Sequence, residues 1–496
     1  MIYNNPVLKG FYPDPSVCRA NGKFYMVCSS FQYFPGVPLF ESDNLVNWKQ
    51  IGHVLTRKSQ VELDGINSSG GVFAPTIRCN NGRFYMVTTN DTTHKNFYVW
   101  TDDIYGEWSE PVEVEQGGID PSLYFENGRA YFMSNGEDDN GAGGVTQCEI
   151  DIETGKKLTG SINIWNGSGG RFLESPHLYK IGKYYYLMAA EGGTEYGHMV
   201  TYARSESVWG PFESYPCNPV LTNRNKAPNI IQGIGHGDLV CGKNGDWHIL
   251  CLGFRQQHIW MPYHNLGREV MLVPVSFDEN GWFTAGNGAC EDSYEIDGGF
   301  EQDTLNPVRF GTDEFNKGRI FIRHPDMECY TFFDSTLTLR GSKYTLDDVA
   351  SPTFVGIRQR EFGFELAADV KLCGQSGEAG VTAYMCENEH YEVALRKNES
   401  GCEAILRLNI GGIKHIQNAV PIDSDSVRLV MRGNNFSYGF FICQNGEETQ
   451  LGAGQAKYLT SEVSGGFTGT VLGMYACGGV TAEFADFRLC YTKALT

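Results

Sequence analysis

Helical periodicity is nearly absent from this 496-residue chain, and no apolar run is long enough to span a bilayer. The first absence argues against helical bundles. The second excludes a helical membrane anchor. Basic residues are few, with 39 Lys and Arg against 59 Asp and Glu, so the formal net charge is −20. That argues against nucleic acid or an anionic membrane as partner, because both require basic patches. It fits a neutral ligand such as a sugar. The 15 Cys fall into no zinc-ribbon or CxxC spacing, so neither a cysteine zinc site nor a dithiol redox motif is expected. Cys28, Cys251 and Cys443 sit inside apolar strand-like runs, and buried, reduced thiols in a reducing compartment are the expectation. Met1-Ile2-Tyr3-Asn4-Asn5-Pro6 leads directly into the first strand motif with no basic or apolar leader, which predicts a cytoplasmic protein. There is no low-complexity tract.

What is present is glycine, at 60 residues, and aromatics, at 13%. Both suit a β-rich chain with many turns. The length predicts two domains. The first is built from one motif used five times. Asp14-Pro15-Ser16 precedes Gly22-Lys23-Phe24-Tyr25-Met26-Val27; Ala74-Pro75-Thr76 precedes Gly82-Arg83-Phe84-Tyr85-Met86-Val87; Asp120-Pro121-Ser122 precedes Gly128-Arg129-Ala130-Tyr131-Phe132-Met133. Glu174-Ser175-Pro176-His177 and His236-Gly237-Asp238 stand ahead of the last two runs, which begin at Gly182 and Gly245. The aligned positions 15, 75, 121, 176 and 237 are about 46 to 61 residues apart, a spacing expected of propeller blades or similar arrays. Polar turns holding Trp48, Trp108, Trp209 and Trp282 read as outer-blade turns whose rings pack between strands. Each unit is therefore a small antiparallel sheet of about four strands.

The motif stops near residue 285, and Thr284 to Thr304, rich in Gly, Asp, Glu and Asn, reads as a connection. Beyond it Phe362, Phe364, Leu366, Ala368, Val370 and Leu372 alternate with small and polar residues, the pattern of a long half-buried strand. Similar runs at 404–413, 427–432 and 484–489 predict an antiparallel sandwich. The expected division is a propeller over 1–298 and a sandwich over 299–496.

A radial array gathers the starts of its innermost strands around one axis. Asp14, Asp120 and Glu174, far apart in sequence, should then meet in one pocket. Ala74 and Ser175 occupy the same pre-proline position as Asp14 and Asp120, so the frame itself does not demand an acid there. Pro15 is expected to hold Asp14 in an extended conformation. Two opposed carboxyls are what glycosidic hydrolysis needs, one donating a proton to the departing oxygen and one activating water or forming a covalent adduct. A third can hold the acid's pKa high through like-charge repulsion. Glu174 lies in an apolar and aromatic segment, where a carboxyl tends to keep its proton. His236 shares the axial slot and is read as a hydrogen-bond partner, a metal contact or a structural residue. Arg268 is read as a clamp on sugar hydroxyls, a partner for an axial Asp, or a strand-edge cation. Phe31 and Phe73 are read as pocket walls or core.

These residues together resemble glycoside hydrolase family 43, in its two-domain β-xylosidase and α-L-arabinofuranosidase branch. The resemblance rests on residues 5–8 and 10–16, on Ser29-Ser30-Phe31 through Phe34-Pro35-Gly36-Val37-Pro38, on Ile119-Asp120-Pro121-Ser122-Leu123 and on Glu174-Ser175-Pro176-His177-Leu178-Tyr179. It implies an all-β protein, a five-bladed propeller followed by a C-terminal β-sandwich, and an inverting mechanism without a required cofactor. Under it Asp14 matches the general base, Glu174 the general acid, and Asp120 the carboxylate that tunes and orients the acid. Arg268 and Phe31 match substrate-pocket residues. His236 matches a histidine that in some members lies near bound Ca2+ or a water cluster. Gly466-Phe467-Thr468-Gly469 resembles a sandwich loop that pushes a Phe into the site and restricts it to chain ends. Phe73 stands where many members have Trp, a smaller stacking wall. The resemblance implies a small oligosaccharide substrate and dimers or tetramers. The activity expected is release of xylose from non-reducing ends of β-1,4-xylo-oligosaccharides, with base and acid carboxyls roughly 6.5–9.5 Å apart. The rivals are α-L-arabinofuranosidase or bifunctional activity, and a non-catalytic glycan-binding propeller. A retaining fructan hydrolase is disfavoured because Tyr12-Pro13 precedes Asp14, where that family carries Asn-Asp-Pro.

Overall fold

A computed structural model describes residues 1–257, 260–301 and 305–492. It is nearly all β, a five-bladed propeller followed by an antiparallel sheet domain. Each blade is a four-stranded sheet made from one continuous stretch of chain, and the innermost strands are Ser16–Ala20, Thr76–Asn80, Ile119–Glu126, Glu174–Ile181 and Ile231–Cys241. Each inner strand lies beside those of its two neighbours, the fifth beside the first. The aromatic runs after each Gly turn form the second strands and are buried between blades. The outer-turn tryptophans do pack on neighbours: Trp209 meets Tyr131 of the preceding blade edge-on at 5.6 Å, and Trp282 tilts against Tyr215 at 5.5 Å.

No blade takes a full strand from each end of the domain, but the segment before the first blade bridges the fifth where Leu8 and Val270 exchange backbone hydrogen bonds, and contacts between blades complete the closure. The residue after each frame proline supplies many of them. Thr76 Oγ1 donates to the Pro121 carbonyl at 2.9 Å, and Ser122 Oγ to the Pro176 carbonyl at 2.5 Å. In the fifth blade that position is Asp238, fully buried, which accepts from Ser16 Oγ at 2.6 Å, from the Val17 amide at 2.9 Å and from both Arg78 Nη atoms at 2.8 and 3.1 Å. Tyr179 of the fourth blade also donates to it. Burial opposes its charge, but Arg78 and its other donors hold the carboxyl well below the usual range. Four blades thus share one carboxylate. Asp238→Ala leaves Arg78 buried without its counter-charge and is expected to cost about 3–5 kcal/mol, seen as a lower urea midpoint for unfolding; an unchanged midpoint would refute the closure role.

The region expected to be a bare connection is partly structured. Phe283–Ala285 is still the outer strand of the fifth blade, and Ser293–Glu295 pairs with Ile2–Asn4 near the chain start. Its far end, up to Thr304, and the end of the expected sandwich at 496 lie outside the described residues. In the second domain two long strands, Phe364–Cys386 and Val471–Tyr491, pair along most of their length and carry the other strands on both sides. Phe364, Leu366, Ala368, Val370 and Leu372 all face its core. A short ribbon, Phe321–Ile322 paired with Tyr33–Phe34 of the first blade, joins the domains. All 15 Cys are free, but burial is not general: Cys28 and Cys251 are buried, whereas Cys443 is half-exposed beside Glu448. No helix among the described residues is long and apolar enough to cross a membrane.

Candidate active site

At the mouth of the propeller axis the starts of the inner strands do not run straight. Asp14, Asp120, Ser175 and His236 take left-handed backbone with φ of 56°, 51°, 57° and 47°. In the third, fourth and fifth blades these residues sit in a β-bulge, where two residues oppose one on the second strand. A bulge bends the strand and re-aims its side chains. The expected extended conformation of Asp14 is therefore wrong. Pro15 disfavours the right-handed helical region for its neighbour, and the chain resolves this by going left-handed, which Asp tolerates better than most residues.

The bulges deliver the acids to one cavity of about 320 Å³, lined by Asp14, Asp120, Glu174, His198, His236 and Arg268, with aromatic walls from Phe31, Phe73 and Phe467. All eight candidate catalytic and substrate-binding residues named from the sequence line it. Asp14 is buried, accepts from Ser29 Oγ at 2.5 Å and from Arg268 Nη1 at 2.8 Å, and lies 3.6 Å from His236 Nδ1. Burial alone would raise its pKa, but Arg268, His236 and Ser29 together hold it below the ordinary carboxylate value. Glu174 goes the other way. Burial and then the charge of Asp14 push it up to about 7, against the pull of Arg268. Asp120 is raised well above its ordinary value by burial and by the facing Glu174 and Asp14. One acid is thus ionised and two tend to hold protons, and the charge lifting Glu174 comes from Asp14.

Arg268 also donates to Thr194 Oγ1 at 2.8 Å and to the Phe467 carbonyl at 3.3 Å. One guanidinium so links the first blade, the fourth blade and the second domain. Phe467 stacks on Phe31 with centroids 6.1 Å apart, and its amide donates to Ser69 Oγ at 2.8 Å. A Cβ on Gly469 would stand 2.4 Å from the Leu266 carbonyl oxygen, so glycine is what lets this loop lie against the segment carrying Arg268. Residues not anticipated from the sequence also line the cavity: Arg171, Phe172, Thr194, Glu195 and His198. They come from the link into the fourth blade and from the turn between its second and third strands.

Protein carboxylates alone do not make a calcium site beside His236, and an ion there would take most of its oxygens from water. The carboxylates nearest its Nδ1 are Asp14 at 3.6 Å, already engaged by Arg268 and Ser29, and Asp120 at 3.9 Å, whereas calcium takes six to eight oxygen ligands.

Residues 3–283 match the family model for glycosyl hydrolases family 43, and residues 308–491 match the β-xylosidase C-terminal concanavalin A-like domain. The chain belongs to glycosyl hydrolase family 43. This family 43 enzyme is 36% identical to a non-reducing-end α-L-arabinofuranosidase of Bacteroides ovatus, over 98% of this chain and 93% of that one. It is 34% identical to a xylosidase/arabinosidase of Butyrivibrio fibrisolvens, over 98% of both. The xylan β-1,4-xylosidase structure from Bacillus halodurans superposes with a TM-score of 0.91 at 28% identity, covering 99% of this chain and all of that one. The protein is a glycoside hydrolase.

Proposed function

We propose that this hydrolase is an inverting exo-glycosidase that releases xylose from the non-reducing ends of β-1,4-xylo-oligosaccharides. The observation that carries the reading is the meeting of Asp14, Asp120 and Glu174 in one cavity, where Arg268, His236 and Ser29 hold Asp14 below the ordinary carboxylate value while burial and the Asp14 charge push Glu174 up to about 7. Asp14 takes a proton from a water as that water attacks the anomeric carbon. Glu174 gives its proton to the glycosidic oxygen as the bond to that carbon breaks. Asp120 orients and tunes the acid. Phe467 narrows the cavity to the end of a chain. Family relatives named for both sugars support α-L-arabinofuranoside as a second substrate, and the Phe73 wall, smaller than Trp, leaves room for either ring. No bound calcium has a part in this reading. The free thiols support a reducing, cytoplasmic setting.

Xylobiose hydrolysis followed by proton NMR should show α-xylose as the first product from the non-reducing end. First appearance of β-xylose would overturn inversion. Nitrophenyl β-D-xylopyranoside should be turned over faster than nitrophenyl α-L-arabinofuranoside. The reverse order would make the second substrate the first, and sugar binding without any turnover would favour a lectin-like propeller.

A further inference from the structure

The loop between the first two blades carries Glu62 and Asp64, and the chain just beyond the Phe321–Ile322 ribbon strand carries His324. One carboxylate oxygen from each acid and one ring nitrogen of the histidine lie within 4.8 Å of one another. The acids are exposed, but His324 is only 8% exposed, with Phe34 edge-on to its ring at 5.0 Å. Its Nε2 is 2.9 Å from the Val61 carbonyl oxygen. A carbonyl can only accept, so Nε2 carries the proton and Nδ1 keeps its lone pair. That Nδ1 is buried and has no hydrogen-bond partner. A histidine that donates one nitrogen to a backbone carbonyl keeps the lone pair of the other free, the tautomer that metal-binding histidines use.

Exposed carboxylates often need no ion. Here Lys58 Nζ reaches Asp64 Oδ2 at 2.6 Å, and Glu62 Oε1 accepts the Asp64 amide at 2.8 Å. Neither contact satisfies the buried nitrogen of His324, and each leaves its carboxylate a second oxygen. We infer that Glu62, Asp64 and His324 bind a divalent transition-metal ion that ties the propeller to the second domain. Two oxygens and one imidazole suit Mn2+ or Zn2+, with water completing the shell. Ligands about 2.1 Å from one ion stand roughly 3–3.4 Å apart, so the two exposed side chains close inward by about 1 Å. The same loop runs on to Ser69, which holds the Phe467 amide, and to the Phe73 wall. The ion therefore steadies the rim of the cavity without touching its acids.

The test uses the full-length protein, stripped with EDTA and titrated with Mn2+ under EPR detection. Manganese is chosen because the 15 free thiols would compete for zinc. Wild type should take up one ion per chain at micromolar concentration. Glu62→Gln and Asp64→Asn, both at exposed positions, should each weaken uptake by about 10-fold or more and leave turnover on nitrophenyl xyloside unchanged. No binding below millimolar Mn2+ would overturn the inference. So would equal binding by both variants, which would place the ion elsewhere, such as at the catalytic carboxylates.

Discussion

Asp14→Asn is expected to lower kcat/KM on xylobiose by about 100- to 10,000-fold, the range attributed to a positioned general base. Asparagine is the informative replacement. It keeps one oxygen that can accept from Arg268, its NH2 can donate to the Ser29 hydroxyl in place of the lost acceptor, and it tolerates the left-handed backbone at φ 56°. Alanine would mix loss of the base with backbone strain and an unpaired buried guanidinium. Circular dichroism and a thermal melt should show the variant folded. Because the Asp14 charge helps lift Glu174, residual activity should also lose its alkaline limb at a lower pH than wild type. Near wild-type turnover by a folded Asp14→Asn protein would remove Asp14 from the mechanism.

Glu174→Gln should have a comparable effect, with a different dependence on the leaving group. An alkyl-type sugar oxygen needs a proton to depart, so xylobiose hydrolysis should fall by about 100- to 10,000-fold. A dinitrophenyl xyloside, whose leaving group departs as an anion, should lose far less. The pH dependence follows from the direction of the shift. Glu174 is pushed up to about 7, and only its protonated form can donate. Wild-type kcat/KM should therefore be sustained below that pH and decline as pH rises through it. Asp14, held below the ordinary value, sets an acid limb at markedly lower pH. Glutamine does not titrate, so the limb near 7 should vanish on the dinitrophenyl substrate. Equal losses on both substrates, or an unchanged alkaline limb, would assign the proton donor to another group.

The radial arrangement was legible because its evidence repeats. Five starts of strand, each followed by a Gly turn and an aromatic run, identify equivalent positions without any structure. Departures from the repeat then stand out, which is how Asp14, Asp120, Glu174 and His236 were found. Phe467 had no such frame and came only from the family resemblance. The rest of the cavity was hidden for a related reason. Arg171, Phe172, Thr194, Glu195 and His198 lie in connections whose sequences differ from blade to blade, so no second copy marks them. The glycine-rich stretch Gly192-Gly193-Thr194 and its neighbour Arg171-Phe172 were the available signals. Asp238 was passed over because its partners Ser16, Arg78 and Tyr179 come from three other blades, and buried ion pairs of that kind leave no local pattern. The left-handed turn at Asp14 was misjudged because the rule for residues before proline names only the region to be avoided, and the bulge decides among those that remain.

That bulge bears on how such enzymes change over generations. A left-handed residue is most easily Asn, Asp, His or Gly, Ser175 shows that a small hydroxyl residue also serves, and all of these but Gly carry groups able to hold water, protons or hydroxyls. Drift at the axial sites is thereby confined by backbone geometry to a small alphabet already rich in reactive groups. Ala74, the one member of the frame without the left-handed turn, is also the one with nothing chemical to offer.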